Sequence, residues 1–383
     1  MPNSQKSFKI EVSPAVMKWA IGSSGWKVNE LARRLKIDEG AVQEWSTGKA
    51  TPTIGQLEDL SRILKRPLAV FFLSEPPAEK APPKDFRMLP DRIGSFDKDT
   101  ILAVRRARRL QRISRELSEN INAELKSLVS HFTLSSNPRE TALIVRREFS
   151  ISEETQRKWK DSYEAFNELR NMIEGRNVHI FQMRMPLDDA RGFVLVDELP
   201  ATIVVNSKDM IEARIFTLMH EFGHVLINES GISIPEMGLI RRGSDKVEKW
   251  CNEFAAEFLL PSEILRAESH RLGESIHEGA SISRLSHRYK VSKSMMFYNL
   301  MRLRIISRAE YQESVGSALS VSRGEEEGAF GLSQDRRCLQ EKGKKFIGLV
   351  ASNIANGTIT YHEAMDFLSV NMSNIEKVMS KAI

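Results

Sequence analysis

The pentapeptide His220-Glu221-Phe222-Gly223-His224 is the feature that most restricts how this chain of 383 residues can fold. Histidines four residues apart share a face only if the segment is helical, and both imidazoles can then face one metal ion. Glu221 lies about 100° round such a helix from His220, where it can reach a water on the metal without ligating the metal. We therefore predict a helix over about 208–228, with His220 and His224 as metal ligands and Glu221 as the catalytic acid and base.

The sequence around this motif predicts a helix with one buried face. Ser207 and Asp209 are typical helix-capping residues, and Asp209 with Glu212 resembles a capping box. On the helical wheel, an apolar stripe lies between about 140° and 240° from His220. It consists of Ile211, Ile215, Leu218, Phe222, Val225 and Leu226. The histidines lie opposite this stripe and are predicted to face a cleft.

A catalytic zinc requires a third protein ligand, and the helical segment 247–261 offers Glu248, Glu253 and Glu257. The apolar stripe of this segment consists of Val247, Cys251, Phe254, Ala255 and Phe258. Glu248 borders the stripe, about 60° from its cysteine, whereas the other two glutamates point to the opposite side. We predict Glu248 as the third ligand and Asn252, one turn later, as the residue that orients a ligand histidine. The cysteine is an alternative soft ligand, but its place within the stripe favours a core residue.

Short β-rich segments precede the motif at 178–183, 192–196 and 201–205 and predict a sheet of about three strands. The strand containing Phe193 to Val196 is predicted to offer an edge to an extended substrate. An oxyanion would need a further stabilising group. The candidates, among which the sequence does not choose, are His270, His277, Tyr298 and Arg241.

The N-terminal part has the pattern of a helix-turn-helix. Residues 28–37 have helical spacing, Asp38-Glu39-Gly40 forms a short turn, a second helix begins at Ala41, and a further helix covers Ile54 to Leu64. We predict DNA-contacting residues in and after the turn, with Gln43 suited to a base edge and Lys49 to a phosphate. These residues are Glu39, Gly40, Gln43 and Lys49. Glu39 and Glu44 place negative charge near the groove, so a protein-docking use of the same fold stays open.

The rest of the chain divides at changes of composition. We predict a helix-turn-helix domain at 1–73, a proline-rich linker at 74–96, a helical region at 97–176, a peptidase domain at 177–312 and a C-terminal helical region at 313–383. The helical region begins with an arginine-rich helix over 97–130, which is either a solvated face or a phosphate-contacting surface. Residues 316–328 are predicted to form a loop. The last 40 residues are predicted to form two helices divided at 357–360.

Composition places the chain among ordinary soluble proteins and suggests a cytoplasmic location. It carries 41 % hydrophobic and 28 % charged residues, a net charge of +5 and two cysteines. The start lacks an apolar signal region and no run of about 18 apolar residues occurs, so no membrane span is expected. Two well-separated cysteines do not make a disulfide framework. The positive charge permits nucleic-acid binding without requiring it.

Together these motifs resemble the ImmA/IrrE family of zinc metallopeptidases, in the long form that begins with a Cro/repressor-type helix-turn-helix. The resemblance rests on segments spread over most of the chain: 45–53, 66–73, 84–87, 213–224 and 248–261. In that family a glutamate four residues before the asparagine supplies the third ligand, a position that Glu248 occupies here. Two positions depart from the family pattern, Ser46 where glutamate is usual and Cys251 where alanine is usual.

The resemblance implies a mainly α fold with a small α+β part, in which a zincin-like domain packs its sheet on the histidine helix. It implies Zn²⁺ as cofactor and a helix-turn-helix repressor as the protein substrate, whose cleavage switches on transcription. It also implies a helix-turn-helix-like part at 283–306 within the peptidase body. The alternative is a non-proteolytic DNA-binding regulator or antitoxin-like protein with a structural or sensory metal site. The presence of Glu221 argues against it, because a structural site needs no base.

Overall fold

The computed structural model describes residues 9–79, 84–85, 96–233, 246–314 and 332–381. The chain falls into two compact units, Met1–Pro82 with Gly94–Arg105 and Pro83–Ile93 with Arg106–Ile383. Within these described residues, regular structure is helical except for one sheet in the second unit. This confirms the prediction of a mainly α chain with a small α+β part. Among the described residues, no helix has both the length and the apolar character needed to cross a bilayer.

The helices of the first unit pack around an apolar core that includes Leu31, Val42 and Leu57. They are α1 (Pro14–Gly22), α2 (Val28–Leu35), α3 (Glu39–Thr47) and α4 (Ile54–Leu64). The α3 helix begins at the cap Asp38, whose side chain accepts a hydrogen bond from the Gly40 amide at 2.8 Å. Residues 36–38 join α2 to α3, so the predicted turn at 38–40 is displaced: Glu39 and Gly40 already belong to α3, because Asp38 caps the helix. The α4 helix has the bounds that the sequence predicts.

The second unit is built from helices around a small sheet. Its helices before the sheet are the part of α5 (Lys98–Asn120) that begins at Arg106, α6 (Pro138–Glu148), α7 (Glu153–Lys158) and α8 (Ser162–Glu174). Those that follow the first strands are α9 (Ile211–Leu226), α10 (Lys246–Leu259), α11 (Ser262–Leu272), α12 (Gly279–Tyr289), α13 (Lys293–Arg302), α14 (Gln334–Ala355), α15 (Tyr361–Leu368) and α16 (Met372–Met379).

Five short strands form the mixed sheet: β1 (Lys84–Asp85), β2 (His179–Met183), β3 (Gly192–Leu195), β4 (Thr202–Asn206) and β5 (Gly231–Ser233). Their spatial order is β1-β5-β3-β4-β2. The three predicted strands correspond to β2, β3 and β4. The prediction that the strand with Phe193 offers an edge is wrong, because β3 pairs antiparallel with β4 on one side and with β5 on the other.

Several predicted helix bounds differ from the structure. The helix predicted over 97–130 ends at Asn120, just before Asn122 takes a positive φ of 53°. The described C-terminal region contains two further breaks: Gly343 takes a φ of 79° within α14, and Ser369 takes a φ of 56° between α15 and α16. The predicted loop at 316–328 and residues 80–83 and 86–95 of the predicted linker lie outside the described residues.

Candidate metal centre

The α9 helix carries the two histidines, and nearly all of its side chains are buried. His220, Glu221 and His224 all have 0 % exposure. The apolar stripe packs into the main core as predicted. The histidines, which the sequence predicts to face a cleft, are instead fully buried within the described part of the chain, where α8, α10 and the sheet pack against α9. The predicted capping box is wrong as well. The helix cap is Met210, which makes no side-chain capping bond, while the Asp209 carboxylate is paired with Arg191 at 3.1 Å.

The α10 helix brings Glu248 to the histidines. Glu248 Oε1 lies 3.0 Å from His224 Nε2, and its Oε2 lies 3.3 Å from His220 Nε2. The two Nε2 atoms are 3.3 Å apart. These three buried residues form a group whose donor atoms all lie within 4.8 Å of one another and which can hold a metal ion.

The spacing and chemistry of these donors fit a tetrahedral cation. Bonds of about 2.0–2.1 Å at tetrahedral angles place neighbouring ligand atoms roughly 3.3 Å apart. Burial lowers the pKa of His224, which keeps its imidazole neutral. Burial acts to raise the pKa of Glu248, but the His220 and His224 imidazoles hold it well below its usual range. Neutral imidazole and ionised carboxylate are the forms that bind metals.

Asn252 orients one of the two imidazoles. Its Oδ1 lies 2.9 Å from His220 Nδ1, and an amide oxygen can only accept a hydrogen bond. The Nδ1 atom must therefore carry the proton, which leaves the Nε2 lone pair directed at the metal position. The sequence predicts this contact, because Asn252 lies one turn after Glu248.

The crossing of α9 and α10 is close at Gly223. A Cβ atom added there would lie 3.3 Å from both Cys251 Sγ and Phe254 Cδ1 and 3.4 Å from Cys251 Cα. The glycine thus lets the two helices approach closely enough to bring Glu248 to the histidines. Cys251 is fully buried within the main core.

Strand β3 passes directly beneath Glu221. A Cβ atom added at Gly192 would lie 2.9 Å from Glu221 Oε1, 2.6 Å from Thr217 Cγ2 and 3.0 Å from the Val204 carbonyl oxygen. The sequence does not predict a role for Gly192 or Thr217, because a contact between a strand and a helix about 25 residues later leaves no periodic signal. The glycine that opens a strand is the one available hint.

Other predicted residues lie elsewhere. Glu257, which the sequence predicts to point away from the apolar stripe, is nevertheless buried and pairs with Arg302 of α13 at 2.5 Å. Among the oxyanion candidates, Tyr298 is 7 % exposed, His270 is exposed, and His277 is exposed and paired with Glu310 at 3.3 Å. Arg241 lies outside the described residues. The structure does not choose among these candidates.

The residues predicted to contact DNA lie on α3 and just after it, in the first unit. Glu39, Gln43 and Lys49 are exposed and Gly40 is half-buried. Glu44 is exposed on the same helix. The exposed side chains of α3 therefore include two carboxylates, and a cation follows at Lys49.

Comparison with known families identifies the kind of domain that carries this centre. Residues 173–301 match the family described as the IrrE N-terminal-like domain, which supports a peptidase domain of the ImmA/IrrE type. The matched segment includes both α9 and α10, and hence His220, Glu221, His224 and Glu248. No curated protein matches the chain significantly. Fold and site together define a metallopeptidase-like domain, and the first unit lies outside the matched segment.

Proposed function

We propose that the chain is a zinc-dependent endopeptidase that cleaves a regulatory protein of the helix-turn-helix repressor class and thereby derepresses transcription. The observation that carries the proposal is the convergence of His220, His224 and Glu248 from two helices, with Glu221 beside them. Two imidazoles and one carboxylate are a donor set that suits zinc and leaves a fourth position open.

The roles of the chain's own residues follow from their positions. Zinc, when bound, would supply a Lewis acid and lower the pKa of a water to about 7. Glu221 accepts the proton of the attacking water and delivers it to the leaving amine. Asn252 holds the His220 ring in the tautomer that binds metal. Burial of the centre strengthens each of these electrostatic interactions, because the surrounding dielectric is low.

The test is cleavage by the purified full chain loaded with zinc, using as substrates the repressor-type proteins encoded beside it. Glu221→Gln should keep one zinc per chain and lose cleavage by about 10²- to 10⁴-fold. Glu263→Gln, an exposed glutamate at the start of α11, is the matched control and should cleave normally. Cleavage by Glu221→Gln at the wild-type rate, or wild-type protein that binds no metal, would refute the proposal.

A second candidate function is favoured by the first unit. Its α2-turn-α3 arrangement, with Gln43 and Lys49 exposed, suits contact with double-stranded DNA. If the unit binds DNA, Lys49→Ala should weaken binding uniformly across sequences and reduce its salt dependence, while Gln43→Ala should relax sequence preference. Unchanged binding in both variants would favour protein docking through the same helices. A chain that binds an operator tightly but cleaves no repressor would be the non-proteolytic regulator.

A further inference from the structure

Glu221 and Thr217 lie four residues apart on α9, so both side chains lie on one face of the helix. The element opposite this face is the start of β3. Gly192 pairs there with Val205 of β4 and with Ser233 of β5, which fixes its place in the middle of the sheet. The Glu221 side chain therefore lies between α9 and β3, and both of these elements are packed into the core.

The gap between these elements has room for a glycine only. A methyl group at position 192 would meet Thr217 Cγ2 at 2.6 Å, Glu221 Oε1 at 2.9 Å and the Val204 carbonyl oxygen at 3.0 Å. All three distances are well below normal van der Waals contact. Of these three atoms, the backbone oxygen is held in the sheet and the threonine methyl belongs to a side chain that is only 1 % exposed. The carboxylate, at the end of a longer side chain, is the group that would have to move.

We infer that Gly192 and Thr217 form a cradle that positions the Glu221 carboxylate, and that the absence of a side chain at residue 192 is required for the acid–base role. This inference rests on the proposed function and deepens it. In the cradle, the carboxylate lies against the backbone of β3 and cannot rotate toward the sheet. Gly192 and Thr217 are positioning residues, since both act through Glu221.

The test uses cobalt(II)-loaded protein and acetohydroxamic acid as the probe, so it does not depend on knowing the substrate. A hydroxamate chelates the metal and transfers a proton to a neighbouring carboxylate, so its affinity depends on where that carboxylate lies. Binding is followed by the change in the visible absorption of cobalt. Because a hydrogen bond to a charged group is lost, Glu221→Gln should weaken the hydroxamate about tenfold or more.

Gly192→Ala should retain one cobalt per chain and weaken the hydroxamate to a similar degree. Adding Thr217→Ser removes the nearest clashing atom and should recover part of the affinity; this double variant also serves if the single variant fails to fold. Gly279→Ala, where an added Cβ meets nothing within 4 Å, is the matched control and should bind the probe normally.

Hydroxamate affinity within about twofold of wild type in Gly192→Ala would overturn the cradle while leaving the metal centre intact. The cradle is also overturned if the double variant binds the hydroxamate no better than Gly192→Ala does. If only the double variant folds, the cradle is overturned when that variant binds the hydroxamate as tightly as wild type. Wild-type protein that binds no cobalt would instead overturn the proposed metallopeptidase, and the cradle with it.

Discussion

His179 is a buried histidine outside the metal centre, and its environment is strongly apolar. It lies on β2 with its ring centre 6.2 Å from that of Phe181 and 6.5 Å from that of Phe346. Its Nδ1 lies 3.4 Å from Ser114 Oγ. Burial, assisted by the nearby Lys345, lowers the pKa of His179 to about 3. The imidazole is therefore neutral in the folded protein over the whole physiological range.

This environment predicts a loss of stability in mild acid. The unfolded chain protonates the imidazole near pH 6.5 and the folded chain only near pH 3, so the unfolded state binds more protons between these values. The free energy of unfolding should thus fall as the pH falls, by up to about 1.4 kcal/mol per pH unit from this group. The free energy of unfolding, measured in urea at several pH values between 7 and 4.5, should fall more steeply with falling pH for wild type than for His179→Gln. Equal slopes would show that the ring is protonated or solvated when folded.

At the level of residues, helical periodicity is sufficient to predict much of the centre's geometry. The spacing of His220, His224, Glu248 and Asn252 encodes their faces directly, and the structure brings these four together. Contacts between elements that are far apart in the sequence leave no such periodic pattern. The burial of Glu257 against Arg302 depends on a helix 45 residues later and cannot be read from the wheel.

At the scale of elements, the α9–α10 crossing determines where the third donor atom lies. The two helices touch at Gly223 and Cys251, and Glu248 lies one turn before that contact on α10. The sequence predicts both helices but not their separation, since that depends on the volume of the side chains between them. The short strands β1 and β5 are missed for a related reason, because two or three residues show no alternation and pair only in the folded chain.

Gly223→Ala should weaken metal binding. The new methyl group would lie 3.3 Å from Cys251 Sγ and from Phe254 Cδ1, so α10 must shift by a few tenths of an ångström and carry Glu248 with it. We expect metal affinity to fall about tenfold, as is typical when ligand-supporting residues change. Competition with a chromophoric chelator measures this loss. Adding Cys251→Ala removes the nearest sulfur and should restore much of the affinity.

The control for this substitution is Gly348→Ala on α14, where an added Cβ meets nothing within 4 Å. It should bind metal as wild type does. Wild-type affinity in Gly223→Ala would mean that the interface adjusts without moving the glutamate. Failure of the double variant to recover would place the strain on Phe254 instead.

At the scale of the whole molecule, the C-terminal helices are part of the second unit and not an appendage. The α14 helix covers the outer strand β2, where Phe346 packs edge-on against Phe181 with ring centres 5.5 Å apart. The Gln340 carbonyl accepts hydrogen bonds from Arg170 at 2.7 Å and from Gln182 at 2.9 Å. The sequence predicts only a separate helical region here, because a helical pattern does not indicate which strand the helix will pack against.

Phe346→Ala tests whether these helices and the metal centre unfold together. Phe346 is 1 % exposed, and removing a buried phenylalanine side chain typically costs about 3–5 kcal/mol of unfolding free energy. Its ring packs on those of His179 and Phe181 in β2, and neither of these residues is a metal ligand. If the second unit is one cooperative structure, the substitution should nevertheless lower the denaturant midpoint of metal release as much as that of helix loss. Tyr361→Ala, at a side chain that is 43 % exposed, should leave both midpoints nearly unchanged. A metal-release transition that keeps its wild-type midpoint in Phe346→Ala, while part of the helical signal is lost earlier, would show that α14 to α16 fold independently of the centre.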